Sequence, residues 1–234
     1  MHGERVTERS QARPPELPSD AWCDQLAALI AASPINLVSR GDRAQVRRVH
    51  IDECVAVAGR LALADEARWV DLGTGGGLPG LVLAAAFPRT SWTLIDARAK
   101  KLREVDRFVR ALGLENVVTV HGRAEDLADD DAFRERFAGV ITRAVASLDV
   151  TVALSRGLVE DGEIVAIRGP NAGAEAAALV RWVDDLGVTV ETVEAINGTM
   201  RPTWLIRMRG RGPAPARFPR ARRALLESAR GGTR

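Results

Sequence analysis

Asp71-Leu72-Gly73-Thr74-Gly75-Gly76-Gly77-Leu78-Pro79-Gly80 follows a short apolar run, Trp69 to Leu72, and opens a stretch of helical pattern. Glycines spaced this densely permit positive φ and let the backbone come close to a ligand. Read from Gly75, the loop also satisfies G-x-G-x-x-G, and Asp96 lies near the place where a dinucleotide enzyme keeps its ribose-binding acid. Two features weigh against a dinucleotide. Asp71 puts a carboxylate at the end of the first strand, where it would repel a pyrophosphate but suits the sulfonium and amino end of S-adenosylmethionine. The second feature is the way the sheet ends. A tight strand-to-helix turn with no ligand remains the plain alternative for the loop.

Outward from the loop, the chain alternates short apolar runs with helical patterns, the signature of repeated βα units and a parallel sheet. The strands expected are Trp69 to Leu72, Trp92 to Ile95, Val117 to Val120, Gly139 to Thr142 and Glu163 to Ile167. Leu102, Val105, Phe108, Val109 and Leu112 mark one of the intervening helices by their spacing. Beyond these units, Val188 to Ala195 and Thr203 to Met208 read as two strands around Asn197-Gly198, which favours a β-hairpin. The nucleotide-binding halves of dehydrogenases lack such a hairpin. The order of elements predicts an α/β, Rossmann-like class I S-adenosylmethionine-dependent methyltransferase fold: a mostly parallel seven-stranded sheet with a terminal β-hairpin, after an N-terminal helical segment.

In that segment Ser19 or Asp20 is expected to cap a helix through Trp22, Leu26, Leu29 and Ile30, ended by Ser33-Pro34. A second helix is expected from Asp42 through Leu61. The domain boundaries that follow are a flexible leader over 1–20, a helical segment over 21–66, the main domain over 67–209, and a basic, disordered tail over 210–234.

With 46% apolar residues among 234, the chain has enough hydrophobic content for a substantial core. No apolar run approaches the roughly 20 residues of a membrane span, and the start is polar, so a cytoplasmic protein is expected. Only Cys23 and Cys54 are present, and His2, His50 and His121 are scattered, so neither a disulfide framework nor a metal site is expected. Net charge is +2, but from Arg207 to the end stand nine arginines and one acid, Glu227. The tail reads as an arm for nucleic acid, or else as a solvated end in a chain that uses arginine almost everywhere. Arg40, Arg43, Arg47 and Arg48 form a second basic cluster, with the same two readings.

Asp96, at the end of the second strand, can accept both ribose hydroxyls of a nucleoside; alternatively it caps the helix that begins near Arg98. Arg123-Ala124-Glu125-Asp126 follows the third strand, where folds of this kind bind adenine through main-chain groups. The methyl acceptor is narrowed by what the chain lacks. Exocyclic amines usually call for Asn or Asp before Pro-Pro and an aromatic, and the sole Pro-Pro here, Pro14-Pro15, follows Arg13. Pyrimidine carbons need a cysteine nucleophile, and neither cysteine follows a strand of the sheet. Guanine N7 needs neither, because its lone pair is already available.

The run Asp71 to Gly80, with its Leu78-Pro79-Gly80 ending, resembles the signature of the RsmG, or GidB, family. Asn36-Leu37 with His50, Asp96 with Lys100-Lys101, Thr142-Arg143-Ala144-Val145-Ala146, and Arg168-Gly169 resemble its other motifs in order, from about Trp22 to Ile206. The resemblance implies methylation of N7 of one guanine near the decoding region of bacterial 16S rRNA, with S-adenosylmethionine as cofactor and 16S rRNA or the small ribosomal subunit as partner. A monomer is expected. It places Gly73, Leu78, Ala124, Glu125 and Arg143 at cofactor positions, beside Asp71, Gly75 and Asp96. Arg143 is the catalytic candidate, its guanidinium facing guanine O6 or a phosphate; its plain alternative is a surface salt bridge. Asn36, Arg123 and Arg168 are the RNA-binding candidates. Three positions depart from the family pattern: Ala138 replaces an acid, Arg168 a lysine, and Pro202 a histidine. A non-catalytic RNA-binding module and a small-molecule methyltransferase on the same fold are the competing readings.

Overall fold

The computed structural model describes residues 12–143 and 145–215. Two helices, α1 (Asp20–Ala31) and α2 (Asp52–Ala58), precede a seven-stranded sheet. Its strands are β1 (Arg68–Leu72), β2 (Ser91–Asp96), β3 (Val117–His121), β4 (Gly139–Arg143), β5 (Glu163–Arg168), β6 (Val188–Ile196) and β7 (Thr203–Gly210). Spatial order is β3-β2-β1-β4-β5-β7-β6, with β1 to β5 parallel and the last two antiparallel. The connecting helices are α3 (Gly80–Ala86), α4 (Ala99–Ala111), α5 (Ala124–Leu127), α6 (Leu148–Arg156), α7 (Ala172–Leu179) and α8 (Val183–Leu186). This is the class I methyltransferase fold that the order of elements predicted.

The inner strands are apolar throughout because helices cover both faces of the sheet. Val165 and Ile167 of β5 enter one core with α1, α2 and α3, while Ile164 and Ala166 enter the other with α6 and α7. The first core joins Leu26, Ile30 and Ile51 of the N-terminal segment to Leu81 and Leu94, so that segment closes one face of the sheet.

Several expectations are corrected. The second helix is not a continuous run from Asp42 to Leu61. A 3-10 turn (Arg40–Gln45) and a π turn (Arg47–Ile51) lead into α2, which stops at Ala58. The wide π turn spreads less angle per residue, so Val49 and Ile51 are both buried with His50 between them. The hairpin does not turn tightly at Asn197-Gly198: Ile196 pairs with Thr203, and six residues intervene. Thr199 Oγ1 bridges that loop to the carbonyls of Ile196 and Arg201. Part of the expected leader is ordered, because Ala12–Arg13 pairs with Leu63–Ala64 and Arg13 bridges Asp65. The expected tail begins on the body: Arg211 N donates to Gly187 O, and Gly212 N to Asp161. The rest of the leader (1–11) and of the tail (216–234) lies outside the described residues, as does Ala144.

Candidate functional site

The C-terminal ends of β1, β4 and β5 open onto a cavity of about 600 Å³. The glycine loop forms its floor, Arg143 and Arg168 one wall, His50 and Glu53 of the N-terminal segment another, and Arg201 of the hairpin loop its rim. Gly73, Gly75 and Gly77 have φ of +75°, +59° and +90°, a conformation that side chains disfavour. Close packing fixes the loop as well. A Cβ on Gly73 would stand 2.6 Å from Val145 Cγ2, and one on Gly76 2.9 Å from Leu37 Cβ. The amides of Gly73 and Thr74 both donate to Ile95 O, at 2.9 Å each. Leu78 is buried at the loop's end and lines the cavity.

Asp71 is 1% exposed. Its Oδ2 accepts from the Gly80 amide at 2.9 Å; among the described residues Oδ1, Thr74 Oγ1 and Thr142 Oγ1 are buried and make no well-formed hydrogen bond, although the Thr74 hydroxyl stands close enough to Asp71 to oppose the effect of burial on its carboxyl. Burial pushes the Asp71 pKa up to about 6. A buried carboxylate oxygen without a well-formed hydrogen bond fits a cationic or amine-bearing ligand, which is the character of the amino acid end of S-adenosylmethionine.

Asp96 ties the loop to the next helix. Oδ2 accepts from the Gly75 amide at 2.9 Å and Oδ1 from the Arg98 amide at 2.8 Å. The N-cap position of α4 belongs to Arg98, not Asp96. Each carboxylate oxygen keeps a second lone pair for a ribose hydroxyl. Asp96 pairs in register with His121, so Ala124 (buried) and Glu125 (half-buried), at the start of α5, stand on the adjoining rim of β3. The three do not line the cavity itself.

Arg143 sits in a ring of polar contacts. Its Nη1 donates to Glu53 Oε2 at 2.9 Å and lies 3.5 Å from His50 Nδ1. His50 Nε2 meets Asp42 Oδ2 at 3.1 Å, and Asp42 Oδ1 accepts from Arg201. Thr203, two residues past Arg201, closes the ring by donating to Glu53 Oε1 at 2.7 Å. The Arg143 pairing is thus largely buried, not on the surface. Burial, and then the Arg143 charge, holds the His50 pKa below its ordinary value, against the opposing pull of Asp42.

The RNA-binding candidates are dispersed. Asn36 and Arg123 are exposed and outside the cavity. Arg168 lines it but spends its fork inward, Nη1 on Ala146 O at 2.6 Å and Nη2 on Thr151 Oγ1 at 2.9 Å, fastening the loop after β4. Of the basic cluster, Arg43 donates to the carbonyls of Ala31 and Ser33, and Arg47 pairs with Asp20, Asp24 and Asp52. Those two hold helices together, so the cluster is not four cations available to phosphate. Sequence reasoning missed Asp42, Glu53 and Thr203, which no local pattern marks. Lys101 overhangs Gly75, with Nζ 3.6 Å from where a Cβ would stand.

A family model described as GidB, rRNA small subunit methyltransferase G, matches residues 25–203. The ribosomal RNA small subunit methyltransferase G of Chlorobaculum tepidum is 37% identical over 147 residues, covering 62% of this chain and 65% of that protein. Its counterpart in Marinobacter nauticus is 36% identical over 168 residues, covering 69% of this chain and 75% of the relative. The chain spans less than two thirds of the length of the first relatives it matches, 65% for Chlorobaculum tepidum and 60% for Chlorobium luteolum. Among solved structures, Aeropyrum pernix fibrillarin, in complex with natively bound S-adenosyl-L-methionine, superposes with a TM-score of 0.50 at 15% identity over 62% of this chain and 66% of that one. That likeness concerns the fold.

Proposed function

This chain belongs to the family of rRNA small subunit methyltransferase G, and from that premise we propose that it methylates N7 of one guanine in 16S rRNA of the small ribosomal subunit, with S-adenosylmethionine as methyl donor. The observation that carries the reading is Asp71, buried beneath a glycine loop that lines a cavity walled by arginine, with one carboxylate oxygen that makes no well-formed hydrogen bond among the described residues. When bound, S-adenosylmethionine supplies a methyl group on a positively charged sulfur. Asp71 receives its amino end. Asp96 offers lone pairs to the ribose, and the start of α5, at Ala124 and Glu125, borders the adenine.

The acceptor is the N7 lone pair, which the cavity walls would hold in line with the methyl group that the bound cofactor would supply. No proton leaves the base. The site therefore needs alignment and exclusion of water more than a general base, in keeping with a cavity whose imidazole, His50, is already engaged on both nitrogens. Arg143, held by Glu53, is the group placed to donate to guanine O6 or a neighbouring phosphate. Arg201 stands 56% exposed at the rim, suited to exchange Asp42 for a phosphate. Among the described residues no helix is long and apolar enough to cross a membrane, and a cytoplasmic monomer acting on rRNA is the setting we propose.

The test is to map methylated nucleotides in ribosomal RNA from cells with and without the protein, and to repeat the transfer with purified protein and labelled S-adenosylmethionine. One N7-methylguanosine present only with the protein is expected in the small-subunit RNA. Label on a small molecule or protein instead, or none at all, would overturn the reading.

A further inference from the structure

Buried polar atoms without partners are rare in folded proteins and tend to mark places where something else supplies the hydrogen bond. Among the described residues, the side-chain atoms of this kind fall mainly into two groups. Asp71 Oδ1, Thr74 Oγ1 and Thr142 Oγ1 surround the glycine loop, the proposed cofactor site. The second group is Arg168 Nε, Glu175 Oε2 and Trp182 Nε1. All three belong to residues lining a separate cavity of about 430 Å³, between the loop after β4, the start of α6, and α7.

This second cavity has a defined chemistry. It sets two donors, a guanidinium N–H and an indole N–H, beside the Glu175 carboxylate, and the Asp149 carboxylate also lines it. Arg168 Nε and Glu175 Oε2 approach only to 3.6 Å and form no hydrogen bond, so the pairing is loose. The Glu175 side chain is one-third exposed, at the mouth. Arg181 lies over the Trp182 ring, its Cζ 5.7 Å from the centroid, where it can meet a backbone phosphate. The volume falls within the range of small-ligand pockets, roughly 300 to 1,000 Å³. Arg168 also lines the first cavity, so the two cavities share this side chain.

We propose that the second cavity receives the Watson–Crick edge of the target guanine, with the Glu175 carboxylate accepting from N1–H and the 2-amino group and with Arg168 and Trp182 donating to O6, which leaves Arg143 to the neighbouring phosphate. The inference rests on the guanine-N7 reading given above. Guanine is the one standard base that presents two adjacent donors to a carboxylate, with an acceptor alongside. Gripped by this edge, the base keeps N7 free. Because O6 adjoins N7 and Arg168 is the shared wall, O6 held at Arg168 turns N7 toward the first cavity, where the methyl donor is placed. Glu175 is thereby a specificity-determining residue, and its carboxylate rotates from the loose pairing with Arg168 onto the base.

The test uses the full chain with S-adenosylmethionine and small-subunit rRNA transcripts carrying guanosine or inosine at the methylated position, inosine lacking the 2-amino group. For the wild type, kcat/KM is expected to fall roughly 10- to 100-fold on inosine. Glu175→Gln should lose a similar factor on guanosine, bring the guanosine-to-inosine ratio close to one, and leave the cofactor Kd unchanged. Trp182→Phe, which keeps the ring, should lower both substrates alike. It carries the test if Glu175→Gln does not fold, and wild-type rates on both RNAs would then count against the site. A wild type indifferent to inosine, or a Glu175→Gln enzyme that keeps the wild-type ratio, overturns the inference while leaving the methyltransferase reading standing. A wild type that methylates no guanosine overturns both.

Discussion

Glu53 and Arg143, ninety positions apart in the chain, meet at 2.9 Å and form a polar joint between the N-terminal helical segment and the sheet. Both side chains are mostly buried, and each carries a second contact, Glu53 to Thr203 and Arg143 toward His50. Removing one partner strands the other's charge. Glu53→Ala should therefore destabilise the protein by about 3 kcal/mol, read from urea unfolding. Arg143→Lys keeps the charge but not the planar fork, so turnover on RNA should fall more than cofactor affinity does. Equal losses of both would make Arg143 a cofactor residue alone.

Asp71 should make cofactor binding depend on pH. Its pKa is about 6 in the folded chain against 3.8 ordinarily, so the folded state holds the proton more tightly than the unfolded state. The resulting stability is fully present below about pH 4 and is lost as pH rises through 6, up to about 3 kcal/mol. The cationic end of the cofactor requires the ionised carboxylate. Cofactor affinity should thus weaken as pH falls through 6 while the ligand-free protein gains stability over the same interval. Calorimetric titration at pH 5 and pH 7.5 measures the first, and a pH-independent Kd would remove Asp71 from the cofactor's amino end.

Asp96 holds two main-chain amides, Gly75 and Arg98, which makes its replacement more than the loss of a ribose contact. Asp96→Ala should weaken S-adenosylmethionine by about 1 to 3 kcal/mol. Asp96→Asn retains one acceptor oxygen and should lie between the two. A folded Asp96→Ala protein with unchanged Kd would confine Asp96 to shaping the loop.

Where the C-terminal tail is cut should matter. Arg156, fully buried, donates to the carbonyls of Leu186, Val159, Glu160 and Gly212, and Ala214 N donates to Glu135. Deleting Arg211 to Arg234 takes away the Gly212 acceptor and should lower stability by about 1 to 3 kcal/mol. Deleting only Ala216 to Arg234 removes six arginines and leaves these contacts. Melting should then hardly change, while the slope of log RNA affinity against log salt becomes shallower by about 0.7 to 0.9 per lost phosphate contact. Identical slopes would make the tail a bystander to RNA.

The strands of the sheet, the glycine loop and the terminal hairpin were legible in the sequence because each rests on local signals: alternation of apolar runs, glycine density, and the change of pattern after the last helix. Asp71 and Asp96 were legible for the same reason, each standing at the end of a recognisable strand. The broken second helix was not legible, since 3-10, α and π spacings diverge by less than about one residue per turn, which segments of five to seven residues do not resolve, and packing selects among them. Nor were the partners of the arginines. Sequence composition shows a chain rich in arginine, but whether a guanidinium serves RNA, a helix end or a buried carboxylate depends on what the fold brings within 3 Å of it. Arg43 and Arg47 went to helix ends and acids of the N-terminal segment, Arg156 to backbone carbonyls, and Arg168 to the loop after β4. The sequence by itself determined the sheet, the loop and the acids at its strand ends, because these follow from residues near one another in the chain. The ring through Asp42, His50, Arg143, Glu53, Thr203 and Arg201, and the second cavity at Glu175 and Trp182, were decided only by tertiary structure, because charges separated by up to 159 positions find each other only once the core has set their distance.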